Sequence, residues 1–179
     1  IKVVTPVNSS ILIDMIAGKY NSTVYRVKVG SVEVSRAMLK IGALIGLEEN
    51  GGFMYARHIA VRDGAMTTAL MLEALASSDK RLDELNGMYK RFHQYKTKFQ
   101  LKGDSSRVIE ELSRDAMNRG KRIEMIDGVK IWVEDDTWVM VRASGTEPIM
   151  RLYAESVDEN RLRYVVTTYT EKVNSILYR

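Results

Sequence analysis

Residues 142–148 read Arg-Ala-Ser-Gly-Thr-Glu-Pro and join two apolar runs. The glycine lets the backbone turn so that successive N–H groups converge on an anion. The side chains of Ser144 and Thr146 add hydroxyl donors, and an arginine holds two oxygens of one phosphate at once. The segment therefore favours phosphate binding by Arg142, Ser144, Gly145 and Thr146, with Arg151 on the following run able to reach the same group. The alternative is a plain turn with a solvated arginine.

A second polar segment, residues 46–52, reads Gly-Leu-Glu-Glu-Asn-Gly-Gly and follows a short apolar run. Carboxylates and an amide on a glycine-hinged loop suit sugar hydroxyls, which need acceptors and donors together. Ligands of α/β folds bind beyond the carboxyl ends of the strands, where this loop would lie. Glu48 and Asn50 could hold sugar hydroxyls in this way. The alternative is a solvated acidic loop.

Lys28 stands just before Gly30, at the end of another β-branched run. A lysine there can meet a phosphate, and if partly desolvated it can act as an acid or a base. It is the candidate catalytic residue, and the alternative is an exposed lysine at the end of a strand.

The composition excludes several kinds of site. The 179 residues include no cysteine and only two histidines. Thiolate nucleophiles, disulfides, cysteine-based zinc sites and three-histidine sites are therefore ruled out, and we predict no metal site. A net charge of +4 suits anionic ligands but is far from the basic excess of a dedicated nucleic-acid binder. Since no apolar run reaches membrane-helix length and no signal segment opens the chain, we expect a cytoplasmic protein.

The elements that would position these residues change character along the chain. Strands are predicted at 1–7, 24–29 and 43–47, and helices at 11–17, 32–41 and 63–76. This alternation favours a three-layer α/β domain with a mainly parallel or mixed sheet, placed at 1–95. Asp63 is the predicted N-cap of the third helix. That helix is apolar nearly all round, so we expect it to be well buried.

The second half, placed at 96–179, reads as a small α+β domain with an antiparallel sheet between two helices. The pair Asp127-Gly128 predicts a hairpin with a type I′ turn. Residues 90–98 are basic with interleaved aromatics and could bind single-stranded nucleic acid. We prefer an amphipathic hinge at this stretch that packs its aromatics inward. A hinge near residues 95–103, including Gly103, would permit the last domain to close over a substrate.

Taken together, these segments resemble the C-terminal half, domains three and four, of the α-D-phosphohexomutase family of phosphomannomutases and phosphoglucomutases. Residues 142–148 resemble the phosphate loop of domain four, and residues 46–52 resemble the sugar-binding loop of domain three. The segments Lys28-Val29-Gly30 and Asp63-Gly64 also stand where that family places similar residues. Two departures are Leu47, where a glycine is usual, and Gly52, where many members carry histidine.

The resemblance implies an intramolecular phosphotransferase acting on a hexose phosphate. A phosphoserine would give its phosphoryl group to the sugar, forming a hexose 1,6-bisphosphate, with Mg²⁺ balancing the charge. The phosphoserine and the metal loop belong to the family's first two domains. We therefore expect this chain to be an inactive fragment that works with those N-terminal domains. Open alternatives are a phosphoglucosamine mutase, a phosphopentomutase, or a basic nucleic-acid-binding module.

Overall fold

The computed structural model describes residues 1–101 and 103–179. They form two compact units, Ile1–Lys90 and Arg91–Arg179. The first is an α/β unit and the second an α+β unit with an antiparallel sheet, which confirms the predicted fold class. Within the described residues, no helix combines the length and the apolar character needed to cross a membrane.

The first unit is built on a four-stranded mixed sheet of order β2-β1-β3-β4. Its strands are β1 (Lys2–Pro6), β2 (Thr23–Val27), β3 (Ile45–Leu47) and β4 (Phe53–Tyr55). Strands β1, β2 and β3 are parallel, whereas β4 returns antiparallel to β3. The sequence analysis did not identify β4, because three residues directly after a Gly-Gly pair carry too little pattern to mark a strand.

Four helices belong to this unit: α1 (Leu12–Lys19), α2 (Ser31–Ile41), α3 (Gly64–Ser78) and α4 (Leu82–Gly87). Helix α2 buries Val34 and Met38 in the core beside Val4 and Met54. Gly46 permits this packing, since a Cβ there would lie 2.4 Å from Sδ of Met38. Parallel β1, β2 and β3 all end at one edge of the sheet, so the loops that follow them share that edge.

The expectation that the third helix is well buried is wrong. No residue of α3 is buried, and Met71 and Leu72 are 46% and 61% exposed. Helix α3 packs against β4, but its apolar residues encircle it, and one neighbouring strand covers only one side. Its predicted N-cap is confirmed, because Asp63 accepts a hydrogen bond of 2.9 Å from the N–H of Met66.

The second unit has a five-stranded antiparallel sheet of order β5-β9-β8-β7-β6. Its elements are β5 (His93–Gln100), α5 (Ser105–Asn118), β6 (Ile123–Glu124), β7 (Val129–Glu134), β8 (Thr137–Ala143), β9 (Ile149–Ser156) and α6 (Glu159–Leu177). Helices α5 and α6 contribute Leu112 and Val165 to a core that also contains Val141, Met150 and Leu152 of the sheet. Since strand residues alternate between faces, Arg142 and Arg151 project from the face opposite this core.

The prediction of a hinge near residues 95–103 is wrong for residues 95–100. Residues 95–100 lie in β5, which pairs along its length with β9, and Lys102 lies outside the described residues. Phe99 is buried in the core, as the inward-packing interpretation required. Tyr95, by contrast, is 44% exposed. The alternation of Tyr95, Thr97 and Phe99 with polar residues has the period of a strand, and the high density of charges obscured it.

Candidate functional site

The loop between β8 and β9 holds the predicted phosphate-binding residues of the second unit. It is closed by hydrogen bonds from the N–H of Ser144 to the carbonyl of Ile149 (2.9 Å) and from the N–H of Ile149 to the carbonyl of Glu147 (2.8 Å). Gly145 and Thr146 are exposed at its tip. The N–H of Thr146 donates to Oγ of Ser144 (3.4 Å). The loop therefore presents Gly145 and Thr146 to the solvent between two core strands.

Arg142 is held in place by the preceding hairpin. Its side chain is only 12% exposed, and its Nε donates a 2.8 Å hydrogen bond to Oδ2 of Asp127. Gly128 lies against the same strand, and a Cβ there would be 2.3 Å from the carbonyl oxygen of Val141. The Asp127-Gly128 pair thus fixes the direction of the Arg142 side chain.

The predicted type I′ turn at Asp127-Gly128 is wrong, although a hairpin does form. Gly128 has a φ of +71°, but Asp127 has no positive φ, which a type I′ turn requires at both central residues. Strand β6 ends at Glu124, so the connection to β7 is longer than two residues. The reason is tertiary, since Asp127 binds Arg142 across the sheet and Gly128 packs against β8.

Arg142 and Arg151 stand directly opposite each other in the β8–β9 ladder. Opposed residues project from the same face, and like charges in this arrangement are destabilising. Arg151 is partly compensated by Glu147, whose Oε2 lies 2.6 Å from its Nη2. Two cations are therefore concentrated beside the loop tip, and an anion bound there would relieve their repulsion.

In the first unit, Glu48 and Asn50 lie on the tight turn between β3 and β4. The N–H of Glu48 donates to the carbonyl of Gly52 (2.8 Å), and the N–H of Gly51 donates to the carbonyl of Glu48 (3.1 Å). Gly51 takes a φ of +89°, which favours glycine. The exposed Asn50 accepts a hydrogen bond from the N–H of Gly52 through its Oδ1 (3.2 Å).

The structure adds Arg62, which the sequence analysis did not identify, to the Glu48 turn. Its Nε lies 3.3 Å from Oε2 of Glu48, whose side chain is only 8% exposed. A Cβ on Gly52 would lie 2.6 Å from Cδ of Arg62 and 2.8 Å from that carboxylate oxygen. Arg62 therefore occupies the space beside Gly52, and the absence of a side chain at residue 52 was the available signal.

Arg62 also borders a cavity of about 450 Å³ in the first unit. The cavity is open to the beginning of α2 and is lined partly by polar side chains, those of Ser31, Ser35, Arg36 and Arg62. Its α2 residues come after β2 in the sequence, and the loops that follow the parallel strands lie at this edge of the sheet. The position and lining suit a polar, uncharged or anionic ligand.

Lys28 follows β2 directly and has an exposed side chain. It shares the carboxyl edge of the sheet with the Glu48 turn, because β2, β1 and β3 are parallel. Its role as an acid or base stays a prediction.

Three buried polar residues lie at the same edge, at the end of β1 and in the loop after it. Thr5, Asn8 and Ser9 are 0–2% exposed, and their side-chain polar atoms have no hydrogen-bond partner among the described residues. Buried polar atoms normally have hydrogen-bond partners. The lack of partners for these side chains is therefore an unusual feature of this edge of the sheet. Arg26 fixes the loop by donating to the carbonyls of Pro6, Ser9 and Ser10.

The described residues do not form a site that fits the Mg²⁺ implied by the family resemblance. No group of three or more histidine, cysteine, aspartate or glutamate side chains is placed there to hold a metal ion.

Comparisons with known proteins match both halves of the chain, over residues 1–171. The family model described as "Phosphoglucomutase/phosphomannomutase, alpha/beta/alpha domain III" matches residues 1–92. The model described as "Phosphoglucomutase/phosphomannomutase, C-terminal domain" matches residues 72–171. Together they cover both units, in the order that the sequence analysis expected.

Two curated relatives are similar over 89% of this chain. One is a phosphoglucomutase/phosphomannomutase of Thermococcus kodakarensis, 42% identical over 160 residues. The other is a phosphoglucosamine/phosphogalactosamine mutase of Sulfurisphaera tokodaii, 44% identical over 163 residues. The chain spans about a third of the length of these relatives, 35% in each case.

Solved structures share the fold. A phosphoglucomutase/phosphomannomutase family protein of Burkholderia thailandensis matches with a TM-score of 0.82 at 21% identity, over 98% of this chain and 37% of that one. An N-acetylphosphoglucosamine mutase of Aspergillus fumigatus, in complex with GlcNAc-6P and magnesium, matches with a TM-score of 0.67 at 14% identity, over 96% and 41%. At these identities the likeness concerns the fold.

Proposed function

The chain belongs to the phosphoglucomutase/phosphomannomutase family, and we propose that it forms the sugar-phosphate recognition part of such an enzyme. The observation that carries the proposal is the loop between β8 and β9, where Arg142 and Arg151 face each other beside the exposed residues Gly145 and Thr146. A phosphate is the ligand whose charge and oxygen geometry match that arrangement.

In the second unit, Arg142 would hold the non-reacting phosphate. Asp127 keeps its guanidinium in one orientation, so little side-chain entropy is lost on binding. Ser144, Gly145 and Thr146 would supply hydroxyl and backbone donors from the loop tip. Arg151 would add charge from the opposing strand.

In the first unit, Glu48 and Asn50 would hold sugar hydroxyls. Glu48 presents a nearly buried carboxylate oriented by Arg62, and Asn50 presents an amide on a turn closed by hydrogen bonds. A carboxylate and an amide together accept from and donate to neighbouring hydroxyls. These contacts would orient the sugar ring, and Lys28 would lie near the reacting hydroxyl to assist proton transfer.

The whole reaction would interconvert a hexose 1-phosphate and a hexose 6-phosphate through a 1,6-bisphosphate. Phosphoryl transfer from a phosphoserine, and Mg²⁺ that offsets phosphate charge, would be supplied by N-terminal domains of the same enzyme. The residues of this chain would bind and orient the intermediate. Because each end of the bisphosphate must be presented in turn, the phosphate grip must accept either end.

The relatives differ in the sugar that their names state. Mannose or glucose phosphate fits the name of the T. kodakarensis relative, and an amino sugar fits the name of the S. tokodaii relative. Arg62 pairs with Glu48 and offsets its charge, so this turn carries little net attraction for a sugar ammonium group. We propose mannose or glucose phosphate as the substrate.

Calorimetric titration with glucose 1-phosphate tests the proposal on this chain. We expect Arg142→Ala to weaken binding at least about tenfold, the loss of one charge-assisted contact. Arg114→Ala is the matched control, an arginine of α5 in the same unit that lies outside the loop. Equal affinities of the two variants would contradict the proposed phosphate grip.

A coupled assay for mutase turnover tests whether phosphoryl transfer depends on the N-terminal domains. We expect no conversion of mannose 1-phosphate by the purified chain, because it would lack the phosphoryl donor. Conversion above the buffer rate would show that the chain carries its own donor and would overturn this part of the proposal.

A further inference from the structure

Lys98 lies in a row of three cations on the face of the second sheet that is opposite the helix-packed core. The ladders place Lys98 of β5 directly opposite Arg151 of β9, and Arg151 directly opposite Arg142 of β8. Directly opposed residues project from one face, and this face is opposite the helix-packed core. Three adjacent strands thus place one positive charge each at the same level of the sheet.

The charges in this row are compensated unequally. Arg142 pairs with Asp127, and Arg151 pairs with Glu147. Lys98 is exposed, and within residues 1–101 and 103–179 its side chain has no ion-pair or hydrogen-bond partner. The row therefore carries excess positive charge at its Lys98 end, beside the strand that leads out of the phosphate loop.

The neighbouring row on the same face is different. There Lys96 stands opposite Tyr153, which stands opposite Met140. Among the described residues of β5, β9 and β8, only the row that borders the loop at 144–148 brings three cations together. Like charges opposed across strands destabilise the sheet unless an anion screens them. Binding of an anionic ligand would therefore reduce the repulsion within this row.

We propose that Lys98 is a third cationic contact to the phosphate held by Arg142 and the loop between β8 and β9. This inference rests on the proposed function and extends its phosphate site to the edge strand of the sheet. A lysine provides a flexible point charge at the rim, whereas the two arginines provide fixed geometry. Lys98 would therefore strengthen phosphate binding without setting its orientation.

Calorimetric titration with inorganic phosphate and with glucose 1-phosphate tests the inference. For Lys98→Met we expect affinity for both ligands to fall at least about threefold, the effect of one exposed charge. Lys98→Arg should bind within about twofold of the unaltered chain, and so should the control Lys96→Met, one row away. Without ligand, Lys98→Met should melt at the same or a higher temperature, because a repulsion is removed.

Each outcome separates the two proposals. If Lys98→Met binds like the unaltered chain while Arg142→Ala does not bind, Lys98 lies outside the site and the proposed function stands. If Lys98→Met and Lys96→Met weaken binding equally, the effect is general surface charge, and the specific contact is overturned. If the unaltered chain binds neither ligand, the proposed function itself fails, and the inference fails with it.

Discussion

At the scale of single residues, Asp127 and Gly128 together position the side chain of Arg142. Asp127 accepts the hydrogen bond that directs Arg142, and Gly128 lets the chain approach β8 closely enough for that contact. The dipeptide indicated a turn, but its local preference for a type I′ turn gave way to contacts with β8. Such contacts join residues distant in sequence, so local pattern cannot reveal them.

Gly128→Ala should destabilise the second unit by more than about 2 kcal/mol. The substitution combines a φ of +71° with a Cβ 2.3 Å from a backbone oxygen, and backbone cannot move aside cheaply. Gly120→Ala is the matched control, since it has a φ of +66° and open space around the Cβ. Urea unfolding of both variants gives the comparison. Equal losses would show that φ alone, and not close approach to β8, explains the glycine.

Gly52→Ala should weaken sugar binding with little loss of stability. The new Cβ meets flexible side-chain atoms of Arg62 and Glu48, which can move, but their movement disturbs the oriented carboxylate. We expect at least about a threefold loss of affinity for mannose 1-phosphate, and a change in unfolding free energy below about 1 kcal/mol. Gly18→Ala, with open space at its Cβ, should leave affinity unchanged. Unchanged affinity in Gly52→Ala would show that the pair does not position the sugar.

At the scale of elements, helices and strands with one clear period were predictable, and those with mixed signals were not. Helix α2 and Gly42, its C-cap, follow from the apolar spacing and the glycine. Strand β5 was interpreted as a hinge because its lysines dominated the alternation. Helix α3 was expected to be buried because composition shows how apolar a helix is, but not how many neighbours it has.

The exposure of α3 gives a direct contrast with α5. Leu72→Ala in α3 should cost less than about 1 kcal/mol, because this side chain is 61% exposed. Leu112→Ala in α5 should cost about 2–5 kcal/mol, because Leu112 is 2% exposed in the core. Chemical denaturation measures both. A loss for Leu72→Ala as large as that for Leu112→Ala would contradict the described placement of α3.

Acid should loosen the contact between α5 and α6. The hydrogen bond from Lys172 lowers the pKa of Asp115 below its ordinary 3.8, although burial opposes this, and Arg119 lowers the pKa further. The folded state thus binds this proton less tightly than the unfolded state does. The stabilisation is therefore present above about pH 4 and is lost as the pH falls through the lowered pKa.

Asp115→Asn isolates that effect. Between about pH 6 and pH 3, the variant should lose less stability than the unaltered chain, by at most about 1 kcal/mol for a partly exposed pair. Asp83→Asn in α4, an exposed partner of Arg81 in the other unit, serves as the control. Urea unfolding followed by fluorescence gives the two curves. Parallel pH dependence of Asp115→Asn and the unaltered chain would show that this contact contributes nothing.

At the scale of the whole molecule, the sequence predicted two domains of different class and the family to which they belong. The loops at 46–52 and 142–148 were identifiable because their residues are consecutive. Arg62, Asp127 and Lys98 were not assigned to these sites, because each joins its site through a contact across strands or loops. A site assembled from distant residues needs the register of the sheet, and one sequence alone does not supply it.

The central claim is that this chain recognises both parts of a sugar phosphate. An NMR titration of the isotope-labelled chain with mannose 1-phosphate tests this claim most directly, with Arg142→Ala as the comparison. The account predicts shifts at residues around 46–52 and 142–148 and at Lys28, Lys98 and Arg151, saturating below about 10 mM and strongly weakened by Arg142→Ala. Shifts mainly at other residues, or no shifts at about 10 mM, would contradict it.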